Sequence, residues 1–254
     1  MKKFILLFVF AFSSIIVKAQ AGYNYKEFGI GLDVSYERGY TNVQRQDNHF
    51  GGNINFIYNY SPYIPVTAEI QFGTLSGGGL TPDKDKYGRK YVNNYEALVV
   101  HADFQLGEVI DYSESNVLNI LKNFYFGCGA GILFNSNTVQ RTNIYYGEKL
   151  PNGETAPNNG PSTYVFPGNN SGIDITVPLR FGYEFKIYDE YQEPFMAIDL
   201  GYVHNIVFGE GLDGYNDPTS VFKNNAADQY RQITIGVKFN FGNVTSYNKL
   251  IRRF

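Results

Sequence analysis

The run Gly172-Ile173-Asp174-Ile175-Thr176-Val177-Pro178-Leu179-Arg180-Phe181-Gly182-Tyr183-Glu184-Phe185-Lys186 carries Ile, Ile, Val, Leu, Phe, Tyr and Phe at its odd positions. After the first glycine its even positions are Asp, Thr, Pro, Arg, Gly, Glu and Lys. Successive side chains of a strand point to opposite faces, so the segment reads as a strand with one apolar face and one largely polar face. It exceeds the ~5–6 residues usual in a soluble strand and reaches the ~9–11 residues with which a tilted strand crosses a bilayer. Two environments fit such a ribbon. Either hydrocarbon covers the apolar face and the charges line a barrel lumen, or the apolar face packs on a second sheet and the charges meet water.

The remaining segments decide between them. Phe28–Glu37, Asn53–Tyr60, Val66–Ser76, Tyr91–Leu106, Phe124–Asn135, Phe195–Phe208 and Tyr230–Phe241 all alternate in the same way. The gaps between them also alternate. Those at 39–48, 77–90, 136–171 and 209–227 are long and polar, whereas 61–65 and 188–193 are short. The gap at 107–122 breaks the rule and holds a helical turn around Val117–Leu121. Long loops at one end, short turns at the other and an even strand number are the pattern of outer-membrane barrels. The fold expected is therefore all-β, an eight-stranded antiparallel up-and-down transmembrane β-barrel. Its lipid face should carry aromatic rings near both interfaces.

The beginning of the chain agrees. Met1-Lys2-Lys3, the apolar run Phe4–Val17 and Lys18-Ala19-Gln20 form an export signal with a small-residue cleavage site. Residues 1–19 are expected to be a removed signal peptide, 20–242 the barrel and 243–254 a periplasmic tail carrying Lys249, Arg252 and Arg253. Removal leaves roughly 235 residues, enough for one all-β domain. No second long apolar run follows, which argues against a helical membrane protein. Cys128 is the only cysteine, so neither an intramolecular disulfide framework nor lipidation at the cleavage point is available. A net charge of -3 gives no sign of a nucleic-acid partner. The 22 tyrosines and 21 phenylalanines, with no tryptophan, suit strands and membrane interfaces alike.

Parity places Asp33, Glu37, Glu69, His101, Asp103, Asp174, Arg180, Glu184, Lys186, Asp199 and Lys238 on the lumen side. An eight-stranded barrel is just filled by its side chains, so these charges must pair or hydrogen-bond. The expectation is a salt-bridged plug around Arg180 and Lys238, with a proton or ion path as the rival. No cofactor, metal or catalytic residue is assigned. His49, His101 and His204 sit on different elements and form no metal cluster. Asp83-Lys84-Asp85-Lys86-Tyr87-Gly88 begins like a calcium loop, but Tyr87 and Asn94 replace needed ligands. Asp213 and Asp217 are the other loop carboxylates weighed for calcium. His204, with outward parity near a loop end, is the one candidate for lipid-modifying catalysis, and Ile206 stands where a His-x-Ser pairing would need a serine.

Val177-Pro178-Leu179-Arg180-Phe181-Gly182-Tyr183, Tyr125-Phe126-Gly127-Cys128-Gly129-Ala130-Gly131 and Ile235-Gly236-Val237-Lys238-Phe239-Asn240-Phe241 resemble the small outer-membrane β-barrel (porin-family, PorT-like) proteins of Bacteroidota. The resemblance spans essentially the whole mature chain and implies a Gram-negative outer membrane. It names an architecture better than an activity. The expected role is non-enzymatic. The barrel would present its loops, chiefly 136–171, to a partner, or serve as a subunit of an envelope secretion or assembly complex, with outer-membrane lipid around it. A narrow channel for small solutes and a lipid A-modifying enzyme are the alternatives.

Overall fold

The computed structural model describes residues 24–81, 83–85, 88–112, 115–141, 171–209, 211–215 and 227–247. The expected signal peptide, most of the 136–171 connection, Asp217 and the basic residues of the tail lie outside the described residues. In chain order the strands are β1 (Asn24–Tyr40), β2 (Asn48–Ser61), β3 (Ile64–Gly78), β4 (Arg89–Gln105), β5 (Phe124–Arg141), β6 (Ser171–Tyr188), β7 (Pro194–Phe208) and β8 (Gln229–Ser246). Each pairs antiparallel with its neighbour in sequence, and β8 returns to β1, so the sheet is a closed up-and-down barrel. Closure leaves no sheet edge to template association.

The period-2 pattern sets which face is which. Along β1, Leu32 is 64% exposed and Asp33 only 6%. Leu32, Ile54, Ile70, Leu98, Ile132, Ile175 and Phe208 are register partners in succession from β1 to β7. One unbroken apolar row thus climbs obliquely around the outside. β-Branched and aromatic residues dominate it, as the pleated surface favours.

The strands are 14 to 18 residues long and outrun the alternation that announced them. β1 continues to Tyr40, β2 starts at Asn48 and β5 reaches Arg141. The segments 39–48 and 136–171, expected as loops, therefore yield residues to the sheet. The ladder continues where the apolar face has ended, so period alone undercounts it. β8 also passes residue 242, where the barrel was expected to end and the tail to follow from 243. Gly242 adopts φ 97°, opposite a register shift between Lys26 and Phe28 of β1. A glycine accepts that backbone turn without strain, and the ladder resumes to Ser246.

One end of the barrel, where β1 begins and β8 ends, has tight connections and is called the near end here. Pro62 and Tyr63 alone join β2 to β3. Between β6 and β7, Asp189 Oδ1 accepts the amides of Tyr191 and Glu193, each at 3.0 Å. The 106–123 connection holds a 3-10 turn (Leu106–Glu108) and helix α1 (Asn116–Leu121), whose first turn is capped by Ser115. The Tyr183 hydroxyl, outside β6, donates to the Ile120 carbonyl at 2.8 Å and ties α1 to the barrel's outer face. Val117, Ile120 and Leu121 of this helix are exposed.

Candidate functional site: a filled lumen

Strand β6 serves as a ruler for the interior, because Lys186, Glu184, Arg180 and Asp174 point inward at rising levels from the near end. At the lowest level Lys186 Nζ donates to Gln105 Oε1 (2.6 Å) and to the Pro62 carbonyl (2.5 Å), and lies 4.6 Å from the Tyr63 ring centre. Gln105 Nε2 donates to Glu184 Oε2 at 2.5 Å. Lys238 Nζ meets Glu184 at 2.5 Å and Asp199 at 3.7 Å. The Tyr125 hydroxyl donates to Asp199 at 3.2 Å, and Asn55 Nδ2 donates to Asp33 at 2.6 Å. A cavity of about 20 Å³ lies among Lys186, Glu184, Lys238 and Asn240, room for about one water.

The next level is a four-residue ionic cluster. Arg180 Nη1 lies 3.2 Å from Glu69 Oε2, and its Nε lies 3.4 Å from Asp103 Oδ1. His101 stands between the same two carboxylates, with Nδ1 3.2 Å from Asp103 and Nε2 3.6 Å from Glu69. Gln71 Nε2 donates a short hydrogen bond to Glu69. Gly127 permits this packing. A Cβ there would strike the Asp103 carboxylate and approach the Ala102 carbonyl to 2.8 Å.

Above it the lumen turns aromatic. Glu37 accepts from Ser35 Oγ (2.6 Å), the Tyr95 hydroxyl (2.7 Å) and Gln232 Nε2 (3.0 Å). Tyr230 donates to Gln71 at 2.9 Å. Tyr95 and Tyr230 join Leu75, Val99, Leu133, Val207 and Leu212 in one buried apolar cluster. The far mouth is closed by the loops themselves. Asp85 pairs with Arg89 at 3.3 Å and accepts the Gln44 amide at 3.1 Å. Arg89 Nη2 donates to the Asn42 carbonyl at 2.6 Å. Asp213 accepts the amides of Asn42 (3.2 Å) and Tyr215 (2.9 Å). Burial pushes the Asp213 carboxyl up to about 6 against the pull of those amides and of Arg89. At the near end, burial brings the Lys122 ammonium down to about 8, 4.9 Å from the Tyr112 ring centre.

Asp33, Glu37, Glu69, His101, Asp103, Arg180, Glu184, Asp199 and Lys238 are thus all buried in the lumen. They do not form one network. Glu37 is held by neutral donors rather than a cation, and Asp174 bonds Asn135 (2.6 Å) at the far rim, away from the ion pairs. The outer face does carry exposed aromatic rings, among them Phe28, Tyr36, Tyr58 and Phe241, but the lumen takes aromatic residues as well. Tyr91, Tyr95, Tyr125 and Tyr230 are fully buried inside, where their hydroxyls satisfy carboxylates and amides. Their inward parity was readable. Their function as filling was not, because it depends on partners far along the chain, from Gln46 for Tyr91 to Gln71 for Tyr230.

Two loop candidates resolve differently. Asp85 is occupied by Arg89 and backbone amides, while Asp83 is exposed beside the Thr81 hydroxyl, which holds its carboxyl below the usual range. His204 faces outward. Its ring lies parallel to Tyr202 (6.5 Å, 6°) and 6.5 Å from Tyr40, and its Nε2 is 2.8 Å from Gln229 Oε1. No cluster of metal-ligating side chains is found among the described residues.

The class is therefore defined by construction: a closed, eight-stranded antiparallel up-and-down barrel, apolar outside and filled by mutually bonded polar and aromatic side chains. No family model matches the chain, and no curated protein does. Among solved structures it is similar to Neisserial surface protein A, at 11% identity over 85% of this chain and 97% of that one, with a TM-score of 0.44. It is also similar to the attachment invasion locus protein Ail of Yersinia pestis (13% identity, 85% and 99% covered, TM-score 0.42). The outer membrane protein OprG of Pseudomonas aeruginosa is a third (9%, 89% and 100%, TM-score 0.33). These likenesses bear on the fold alone.

Proposed function

We propose that the chain spans the outer membrane of a Gram-negative bacterium and acts without catalysis, anchoring loops that it presents to a partner or contributing a subunit to an envelope secretion or assembly complex. Residues 1–19 are its export signal. The near end faces the periplasm and the far end, with its long connections, the outside. The observation that carries this reading is the inversion of polarity. Soluble monomers expose apolar patches of at most ~300–600 Å², whereas here an apolar belt encircles the barrel while charges fill its interior.

The same filling argues against the channel. Ion pairs, then tyrosines, then interlocked loops occupy successive levels of the lumen, and a solute would have to break each. The enzyme reading rests on His204, whose ring is stacked on Tyr202 and bonded to Gln229 rather than to a nucleophile. Planar-bilayer recordings are expected to show no steady conductance, and a stable open level would restore the channel. Lipid A mass spectra are expected to be the same with wild type and His204→Ala. Affinity purification from native outer membranes is expected to bring down a discrete envelope or surface partner; recovery of the barrel alone would remove the presenting role.

A further inference from the structure

The outer face of β1 is apolar from Phe28 through Tyr36 and then changes abruptly at Arg38. Directly across the β1–β8 ladder, Arg38 is the register partner of Arg231, which follows the apolar positions Ile235 and Ile233. Two arginines thus face each other on the outside of a barrel whose belt ends just below them. Like charges directly opposite on a sheet are destabilising. Among the described residues neither guanidinium meets a carboxylate, and Arg38 Nε is buried without a hydrogen-bond partner. Both instead lie over one ring, Tyr40, at 5.9 and 5.7 Å from its centre. His204, the register partner of Arg231, borders the same ring.

The height of this cluster identifies what it faces. Tyr36 lies eight positions beyond Phe28, and at about 3.3 Å per residue and a tilt of roughly 40° these steps span about 20 Å of the ~25 Å apolar band of such barrels. Arg38 is the next outward residue, at head-group level. Guanidinium groups bind phosphate oxygens through paired N–H donors, and tyrosine at that level packs against the lipid while its hydroxyl stays wet.

We propose that Arg38, Arg231 and Tyr40 form a binding site for a phosphate of the phosphorylated glycolipid of the outer leaflet. The phosphate sits between the two guanidiniums and relieves their repulsion. This rests on the membrane reading and on the far end being outside.

The test uses the full chain in neutral-detergent micelles and native mass spectrometry. Bisphosphorylated lipid A, lipid A stripped of phosphate, phosphatidylglycerol and inorganic phosphate are the probes. Wild type is expected to bind bisphosphorylated lipid A at least about tenfold more tightly than Arg38→Gln/Arg231→Gln. Dephosphorylated lipid A should bind both proteins weakly and equally, and millimolar inorganic phosphate should not displace the lipid. Arg45→Gln, a change of a loop arginine paired with Asp47, should bind as wild type does. Equal binding by the double variant overturns the site. Arginine-dependent binding of phosphatidylglycerol as tight as that of lipid A, or displacement by inorganic phosphate, overturns the assignment to the outer-leaflet glycolipid. The gel mobility of unheated samples shows whether each variant is folded, and Arg38→Gln alone serves if the double variant is not. The membrane reading fails separately, if the mature chain stays dissolved without detergent.

Discussion

Arg180→Met tests whether the lumen is dry. The guanidinium is buried, 3.2 Å from Glu69 and 3.4 Å from Asp103. Each contact corresponds to about 5 kcal/mol of attraction at an effective dielectric of about 20, most of it offset in the native barrel by the desolvation of three charges. The substitution removes the attraction and leaves the desolvation, with His101 and the neutral Gln71 amide as the remaining partners of the two carboxylates among the described residues. Removing one partner of a buried pair costs about 3–5 kcal/mol, and that is the loss expected here. Adding Glu69→Gln and Asp103→Asn to Arg180→Met withdraws the stranded charges, so the triple variant should recover at least half of the loss. Urea titrations in lipid vesicles, followed by far-ultraviolet circular dichroism and by the gel mobility of unheated samples, measure both. An Arg180→Met barrel within about 0.5 kcal/mol of wild type would mean that water already solvates Glu69 and Asp103. The argument against a channel would fall with it.

Leu32→Arg places a charge on the outer row between Ile54 and Val237 and should cost about 2–4 kcal/mol in bilayers; a change within about 0.5 kcal/mol, as at a wetted surface, would refute the hydrocarbon belt. Gly127→Ala pushes a methyl into Asp103 and the Ala102 carbonyl and should destabilise by about 1–3 kcal/mol, read as a lower urea midpoint. The Asp213 carboxyl, raised to about 6, takes up its proton more readily in the folded mouth than in an unfolded chain. Its stabilisation is therefore complete below about pH 4 and is lost as pH rises through 6, an effect on the order of 3 kcal/mol. Hydrogen exchange at the Asn42 and Tyr215 amides, corrected for intrinsic rates, should show less protection at pH 7.5 than at pH 5; equal protection would contradict the burial argument.

The strand count and the facing of each side chain were legible because a two-residue period survives wherever one face is apolar. Phe28 to Tyr36 and Ile233 to Phe241 could hardly be read otherwise. The extensions to Tyr40 and Arg141 were not legible, since the outward apolar stripe stops at Tyr36 and Phe134 and outward residues beyond it, such as Arg38 and Ser136, no longer mark a face. Parity brought Glu69, Asp103 and Arg180 to the lumen, yet nothing in the sequence tells that Arg180 reaches residues 111 and 77 positions away while Glu37, among the described residues, meets neutral donors. Those choices are made by barrel curvature and strand stagger, which set the levels at which inward residues meet. The pairing of Arg38 with Arg231 was hidden for the same reason, as closure of β8 onto β1 is a property of the ring.

The interior is divided along its length, and the division bears on what the barrel holds up. Its near half is ionic, where Lys186, Lys238 and Arg180 answer the carboxylates. Its far half is an ordinary protein core, in which Tyr91, Leu75, Leu133 and Val207 pack against Val43, Leu212 and Tyr215 from the loops. Loops seated on a core lose the freedom that loops over a water-filled pore keep. Tyr215 shows the consequence most directly. Its hydroxyl accepts the Lys90 amide at 3.2 Å and donates to the Gln140 carbonyl at 2.7 Å, so a residue of the last connection clamps the strand end from which the longest one departs. On the proposed reading the clamp gives the longest connection a fixed base, above an ionic floor and an aromatic middle.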